Sequence, residues 1–267
     1  MKSILVHLDA SPRSSERLAL ARQVARTQGA AVTGYYAVVP TMLGMPFIGA
    51  SATGSVMALL ENADREQRAR ARGIFDAAAA AGGVEMEWAE LGNTDFASGV
   101  FEQALYTDLL VLGQNDPDDH LVGTLPPRFV ASLVVDSGKP ALVLPCVGHY
   151  ESVGSNVLVA WKPTREAARA VSAALPWLRA ARRVHVTGPA SAALERWLRR
   201  EGVSAPIAEA SLAEVPVGEA MLSLAADVSA DLLVMGCYGH SRARELVLGG
   251  ATETLLRSMT LPVLMAH

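Results

Sequence analysis

Two clusters of glycine near the end of the chain have the types and spacing to do chemistry. Gly236-Cys237-Tyr238-Gly239 is followed by nine residues, His240 to Leu248, and then by Gly249-Gly250-Ala251-Thr252. Glycine lets the backbone turn sharply and leaves its N–H unhindered by a Cβ. A helix starting at Gly249 points its free N–H groups and its positive dipole end back toward the strand before it. Such a seat suits a triphosphate tail, and the Thr252 hydroxyl adds a donor. His240, Arg242 and, one step further, Arg244 lie in the nine-residue stretch, facing either phosphates or solvent. Without a ligand, the same glycines are a plain Gly-rich connection.

These glycines need a scaffold, and the chain is long enough to supply two. Its 267 residues suit two small domains. Hydrophobic residues make up 51% and aromatics only 5%, so the cores must be mostly Ala, Val and Leu. That composition fits buried parallel strands under Ala-rich helices. The net charge of −4 gives no bulk attraction to nucleic acid or to anionic membranes. Cys146 and Cys237 make no disulfide framework, which points to a reducing cytoplasm. The apolar run Ile4-Leu5-Val6 is too short for a signal peptide, and no run of about 18 apolar residues predicts a spanning helix.

The chain repeats itself. Asp108-Leu109-Leu110-Val111-Leu112-Gly113 recurs as Asp231-Leu232-Leu233-Val234-Met235-Gly236. Lys139-Pro140-Ala141-Leu142-Val143-Leu144 recurs as Leu261-Pro262-Val263-Leu264-Met265. Between them, the stretch around 147–155 contains Gly and Ser without periodicity and reads as a linker, with the boundary near 149. The domains are therefore expected at 1–148 and 154–267. Strands are predicted near 3–8, 31–39, 84–91, 108–113 and 141–146, and again near 156–161, 182–187, 205–210, 231–236 and 262–266. Helices fall between them, the first opening on Ser11-Pro12 as N-cap and first-turn proline. The first half carries extra residues around 40–70. They include the Met-containing loop Pro40 to Gly49, either a lid, a partner surface or a core cover. Alternating βαβα implies a doubly wound parallel sheet in each half, with its crevice where strands one and four lie side by side.

The pattern Gly-x2-Gly-x9-Gly, sited after a strand and followed by Thr252-Glu253-Thr254-Leu255-Leu256, resembles the ATP-binding signature of the universal stress protein family. The resemblance implies two flavodoxin-like, adenine nucleotide alpha hydrolase-like domains, each with five parallel strands in the order 3-2-1-4-5. It implies ATP or another adenine nucleotide as ligand, with Mg accompanying it. The nucleotide-binding residues would be Gly236, Gly239, Gly249, Gly250, Thr252, Lys162 and Val186. It also implies an internal pseudo-dimer of the two domains through their fifth strands, and a homodimer as a further association.

Each half departs from the family's pattern. Gly250 stands where Ser or Thr is usual, so a hydroxyl is lost. Lys162, within Val159-Ala160-Trp161-Lys162-Pro163-Thr164, stands where the family has Asp at the end of strand one. Lysine cannot accept a hydrogen bond, yet it can meet phosphate as a point charge. Trp161 either stacks on a base or packs in the core. In the first half Asp9 and Ser11 are present, but Asp116 replaces a motif glycine and Pro126-Pro127 replace the later ones. Proline supplies no N–H, and Asp116, Asp118 and Asp119 repel phosphate. That loop, with His120, reads as a solvated acidic loop before it reads as a metal site. The six histidines, His7, His149, His185 and His267 among them, lack metal-ligand spacing. Cys237 is expected as a loop thiol. No paired carboxylates accompany the motif, so little or no catalysis is expected. Three readings follow: a nucleotide-binding stress or signalling protein, a scaffold that binds no nucleotide, and an ATP-using enzyme of related fold.

Overall fold

The structure is a computed structural model that describes residues 1–41, 54–91, 96–116, 125–126, 128–189, 192–210, 217–237 and 250–267. Its elements are β1 (Ser3–Leu8), α1 (Arg13–Gln28), β2 (Ala31–Tyr36), α2 (Gly54–Ala80), β3 (Met86–Glu90), α3 (Phe96–Leu105), β4 (Leu109–Gly113), α4 (Phe129–Ser137) and β5 (Ala141–Leu144). There follow β6 (Asn156–Ala160), α5 (Arg165–Ala180), β7 (Arg183–Thr187), α6 (Ala192–Arg200), β8 (Ile207–Ala210), α7 (Val217–Asp227), β9 (Leu232–Gly236), α8 (Ala251–Ser258) and β10 (Val263–Ala266). Residues 42–53 of the Met-containing loop lie outside the described residues.

The central strands read as unbroken apolar runs because both of their faces are covered. Ile4, Leu5, Val6 and Leu8 in β1 are buried, as are Leu232 to Val234 in β9. α1 lays Leu18, Ala21, Val24 and Ala25 into the core and stops at Gly29, whose φ of 61° a side chain would resist.

The chain divides into two compact units, Met1–Leu133 and Val134–His267. In the first, the strands run β3-β2-β1-β4, all parallel. In the second, β8-β7-β6-β9-β10 is the 3-2-1-4-5 order. β5 extends that sheet antiparallel to β10, with Val143 opposite Val263. This pairing carries β5 into the second unit, so the division falls before the linker near 149.

The two repeated aspartates share one task. Asp108 accepts from the N–H groups of Lys2 and Ser3, and Asp231 from those of Gly154, Ser155 and Asn156. Each carboxylate thus caps the start of the strand beside its own, which fixes the register of strands one and four. That register sets the crevice: Val6 lies against Val111, and Ala160 against Met235.

Candidate functional site

In the second unit the crevice lies at the carboxyl ends of β6 and β9. Gly236 closes β9. A Cβ there would stand 2.4 Å from the Ala167 nitrogen and 2.6 Å from the Glu166 carbonyl carbon. Only glycine lets the first turn of α5 settle on the strand end, so Gly236 has a packing duty besides any ligand. Thr164 caps that helix, accepting from the Ala167 N–H at 3.3 Å.

Cys237 differs from its expectation as a loop thiol. It is 1% exposed, its N–H donates to the Ala266 carbonyl at 2.9 Å, and its carbonyl accepts from His267 Nδ1 at 3.1 Å. Strand pairing with the chain end has drawn it into the core.

Gly250 is the N-cap of α8, which begins at Ala251 and not at Gly249. Its φ of −61° and ψ of 167° are open to any residue. Its carbonyl accepts from the N–H groups of Glu253 and Thr254, and as a glycine it has no side chain with which to cap the helix. Thr252 is buried in the first turn. Gly239 and Gly249, with His240, Arg242 and Arg244, lie outside the described residues.

Lys162 is exposed just past β6, and Trp161 beside it is half-buried. The Trp161 N–H donates to the Thr187 carbonyl at 2.8 Å, which ties this turn to the end of β7. Val186 is a ladder residue of β7 paired with Val159, and it is 1% exposed.

The first unit fills the corresponding place with its own side chains. Asp9, just past β1, is 5% exposed. It accepts from the Ser11 N–H at 2.9 Å, the Ser11 hydroxyl at 2.5 Å and the Ser14 hydroxyl at 2.9 Å. Arg17, also buried, pairs with it at 2.8 Å and donates through Nε to the His7 carbonyl at 2.9 Å. Burial opposes ionisation of Asp9, yet Arg17, His7 and the Ser11 hydrogen bonds hold the carboxyl well below the usual carboxylate range. The claim of the carboxylate on Ser11 explains why Pro12, and not Ser11, sits at the cap of α1. The Arg17 guanidinium presses on Gly113, where a Cβ would be 2.4 Å from Nη1. Of the acidic loop, Asp116 is described, while Asp118, Asp119 and His120 lie outside the described residues. Among the described residues, no group of three or more His, Cys, Asp or Glu is placed to hold a metal ion.

Residues 189–267 match the model of the universal stress protein family. A 46-residue stretch is 48% identical to universal stress protein Slr1230 of Synechocystis, and it spans 17% of this chain but only 16% of that protein. A universal stress protein from Archaeoglobus fulgidus superposes with a TM-score of 0.68 at 15% identity, over 99% of this chain and 95% of its own. A functionally unknown protein from Pseudomonas aeruginosa superposes with a TM-score of 0.55 at 15% identity, over 99% and 92%. At such identity these two report the fold alone. The matched residues include the glycine motif, and the Asp9–Arg17 pair lies outside them.

Sequence reading missed Arg17 and Ser14. The available signal was a lone cation beside Leu18, Ala21 and Ala25, a place where charge demands a buried partner. His185 and Thr187 were missed as polar residues alternating with Val184 and Val186. No helix among the described residues is long and apolar enough to cross a membrane.

Proposed function

We propose that the second unit binds an adenine nucleotide, ATP first, and that the bound state serves a stress or signalling response. The phosphates rest on Gly239, Gly249, Gly250 and Thr252, with Mg alongside, and Lys162 meets them as a point charge. The observation that carries the reading is Gly250 at the N-cap of α8, a residue with no side chain to compete with a ligand for the N–H groups of the first turn. The adenine follows from the family resemblance of the motif. Binding sets a conformation or an association in the cytoplasm, and hydrolysis is slow or absent. The pairing of β5 with β10 supports an internal pseudo-dimer through the fifth strands.

The test is to denature freshly purified protein and measure released nucleotide by ion-pair chromatography and mass spectrometry. About one adenine nucleotide per chain, lost in Gly249→Asp, is the expected result. An empty protein that shows no thermal shift with millimolar ATP rejects the reading. Lys162 and Gly250 then favour the second one, a scaffold that binds no nucleotide.

A further inference from the structure

The two sheets differ on one face. Gly236 turns its missing Cβ toward α5. Side chains alternate along a strand, and in-register parallel neighbours share a face. Val234, Val159 and Val186 therefore face α5, while His185 and Thr187 face the other way. Ala160 lies in register beside Thr187, and Met235 beside Ala160. Thr187 is 1% exposed and His185 9%. Thr187 Oγ1 and His185 Nε2 are both buried and have no hydrogen-bond partner among the described residues.

Among the described residues, the first unit leaves no such orphan at the same register. His7 stands where Ala160 does, and Tyr35 where Thr187 does. His7 Nε2 is 2.8 Å from the Ala37 carbonyl, and its ring lies 5.0 Å from Phe129, which meets Phe96 at 5.4 Å. Rings fill that face and its polar atom is satisfied. In the second unit a methyl replaces the imidazole, and two polar groups are left waiting. Native proteins seldom leave buried polar groups unpaired, and an orphan hydroxyl or imidazole is a candidate ligand contact.

We propose that Thr187 and His185 read the base of the nucleotide, hydrogen-bonding to the edge of its heterocycle. This rests on the reading above that the second unit binds a nucleotide. Three observations fit a base and not a phosphate. Thr187 ends β7 beside the Trp161–Lys162 turn, at the crevice end of the sheet. Its hydroxyl both donates and accepts, which Lys162 cannot do. Burial, then the charge of Arg183, keeps the His185 imidazole below its usual pKa and so neutral, which suits an uncharged ring edge. His185 lies one pleat deeper, about 6.6 Å along the strand.

The test is calorimetric titration of the full chain with ATP and with inorganic tripolyphosphate. The proteins are wild type, Thr187→Val, Thr187→Ser and His185→Phe. Wild type should bind ATP at least about tenfold tighter than tripolyphosphate. Thr187→Val and His185→Phe should each weaken ATP by about 5- to 10-fold, with tripolyphosphate unchanged. Thr187→Ser should keep the affinity. Without ligand, Thr187→Val should melt no lower than wild type, because it removes an unpaired hydroxyl at constant shape. A lower midpoint would mean the hydroxyl is already bonded within the protein, and the inference falls. If ATP binds tightly and Thr187→Val does not change it, or if ATP binds no tighter than tripolyphosphate, the inference falls and phosphate binding stands. If wild type binds neither, the nucleotide reading falls and this one with it.

Discussion

The crevices of the two units are built on one plan and closed by different means. In the first, Arg17 reaches from α1 to Asp9 and lies on Gly113. In the second, equal counting from Lys162 puts Ala170 in the place of Arg17, and the backbone of α5 itself lies on Gly236. The two exchanges belong together. Asp9 without Arg17 would be a buried lone anion, and an arginine buried beside the exposed Lys162 would have no counter-charge there. Each crevice thus avoids an unpaired buried charge at these two positions, the first with Asp9 and Arg17 and the second with an exposed Lys162 and Ala170. The first unit fills its crevice with its own ion pair, and the second has an exposed lysine and a helix whose N-cap is a glycine.

The comparison can be broken most forcefully at Arg17. Arg17→Met should cost about 3–5 kcal/mol in urea unfolding, because Asp9 loses its buried partner. The double variant Arg17→Met, Asp9→Leu should recover a large part of that loss. Equal losses in the two would mean that packing, and not charge, holds the crevice shut.

Next in size is an acid response confined to the first unit. Burial holds His7 at about 4 against an unperturbed 6.5, with Asp9 opposing and Arg17 assisting. The folded state keeps the imidazole neutral while the unfolded state protonates. Stability from this group is therefore complete above pH 6.5 and is lost as pH falls from 6.5 to about 4, by about 3 kcal/mol. Unfolding free energies across that window should slope in wild type and flatten in His7→Met. The Asp9 contribution runs on below it, being lost only as pH falls beneath the ordinary carboxylate range.

The glycines sharpen the contrast at a smaller scale. Gly236→Ala drives a methyl into the backbone of α5 and should cost about 1–3 kcal/mol. Gly113→Ala meets only the end of the Arg17 side chain, so it should cost less and should alter the Asp9 pair. Thermal melts of the two would decide the order. Smallest of all, Gly250→Ser should raise the stability of the free protein by a few tenths of a kcal/mol through capping. Its effect on ATP affinity reports whether a cap hydroxyl helps the ligand or competes with it for the helix N–H groups.

The sequence by itself determined that the second unit is a doubly wound parallel sheet, because unbroken apolar strands alternating with Ala-rich helices admit few connections, while the order 3-2-1-4-5 came from the resemblance of the motif. It determined where the glycine motif falls relative to β9 and α8, since glycine and helix-cap chemistry are local. It also marked Asp108 and Asp231 as a repeated pair, though not that each holds the start of the neighbouring strand. Tertiary structure alone decided the rest. Whether Cys237 lies in a loop or in the core depended on the chain end at Ala266 and His267 pairing with it. Whether Asp9 faces a ligand depended on Arg17, eight residues away along the chain and in contact only after α1 folds back on β1. That Thr187 and His185 are buried without partners among the described residues showed only in the packing. Periodicity reports which way a side chain points, and only packing reports what it meets there.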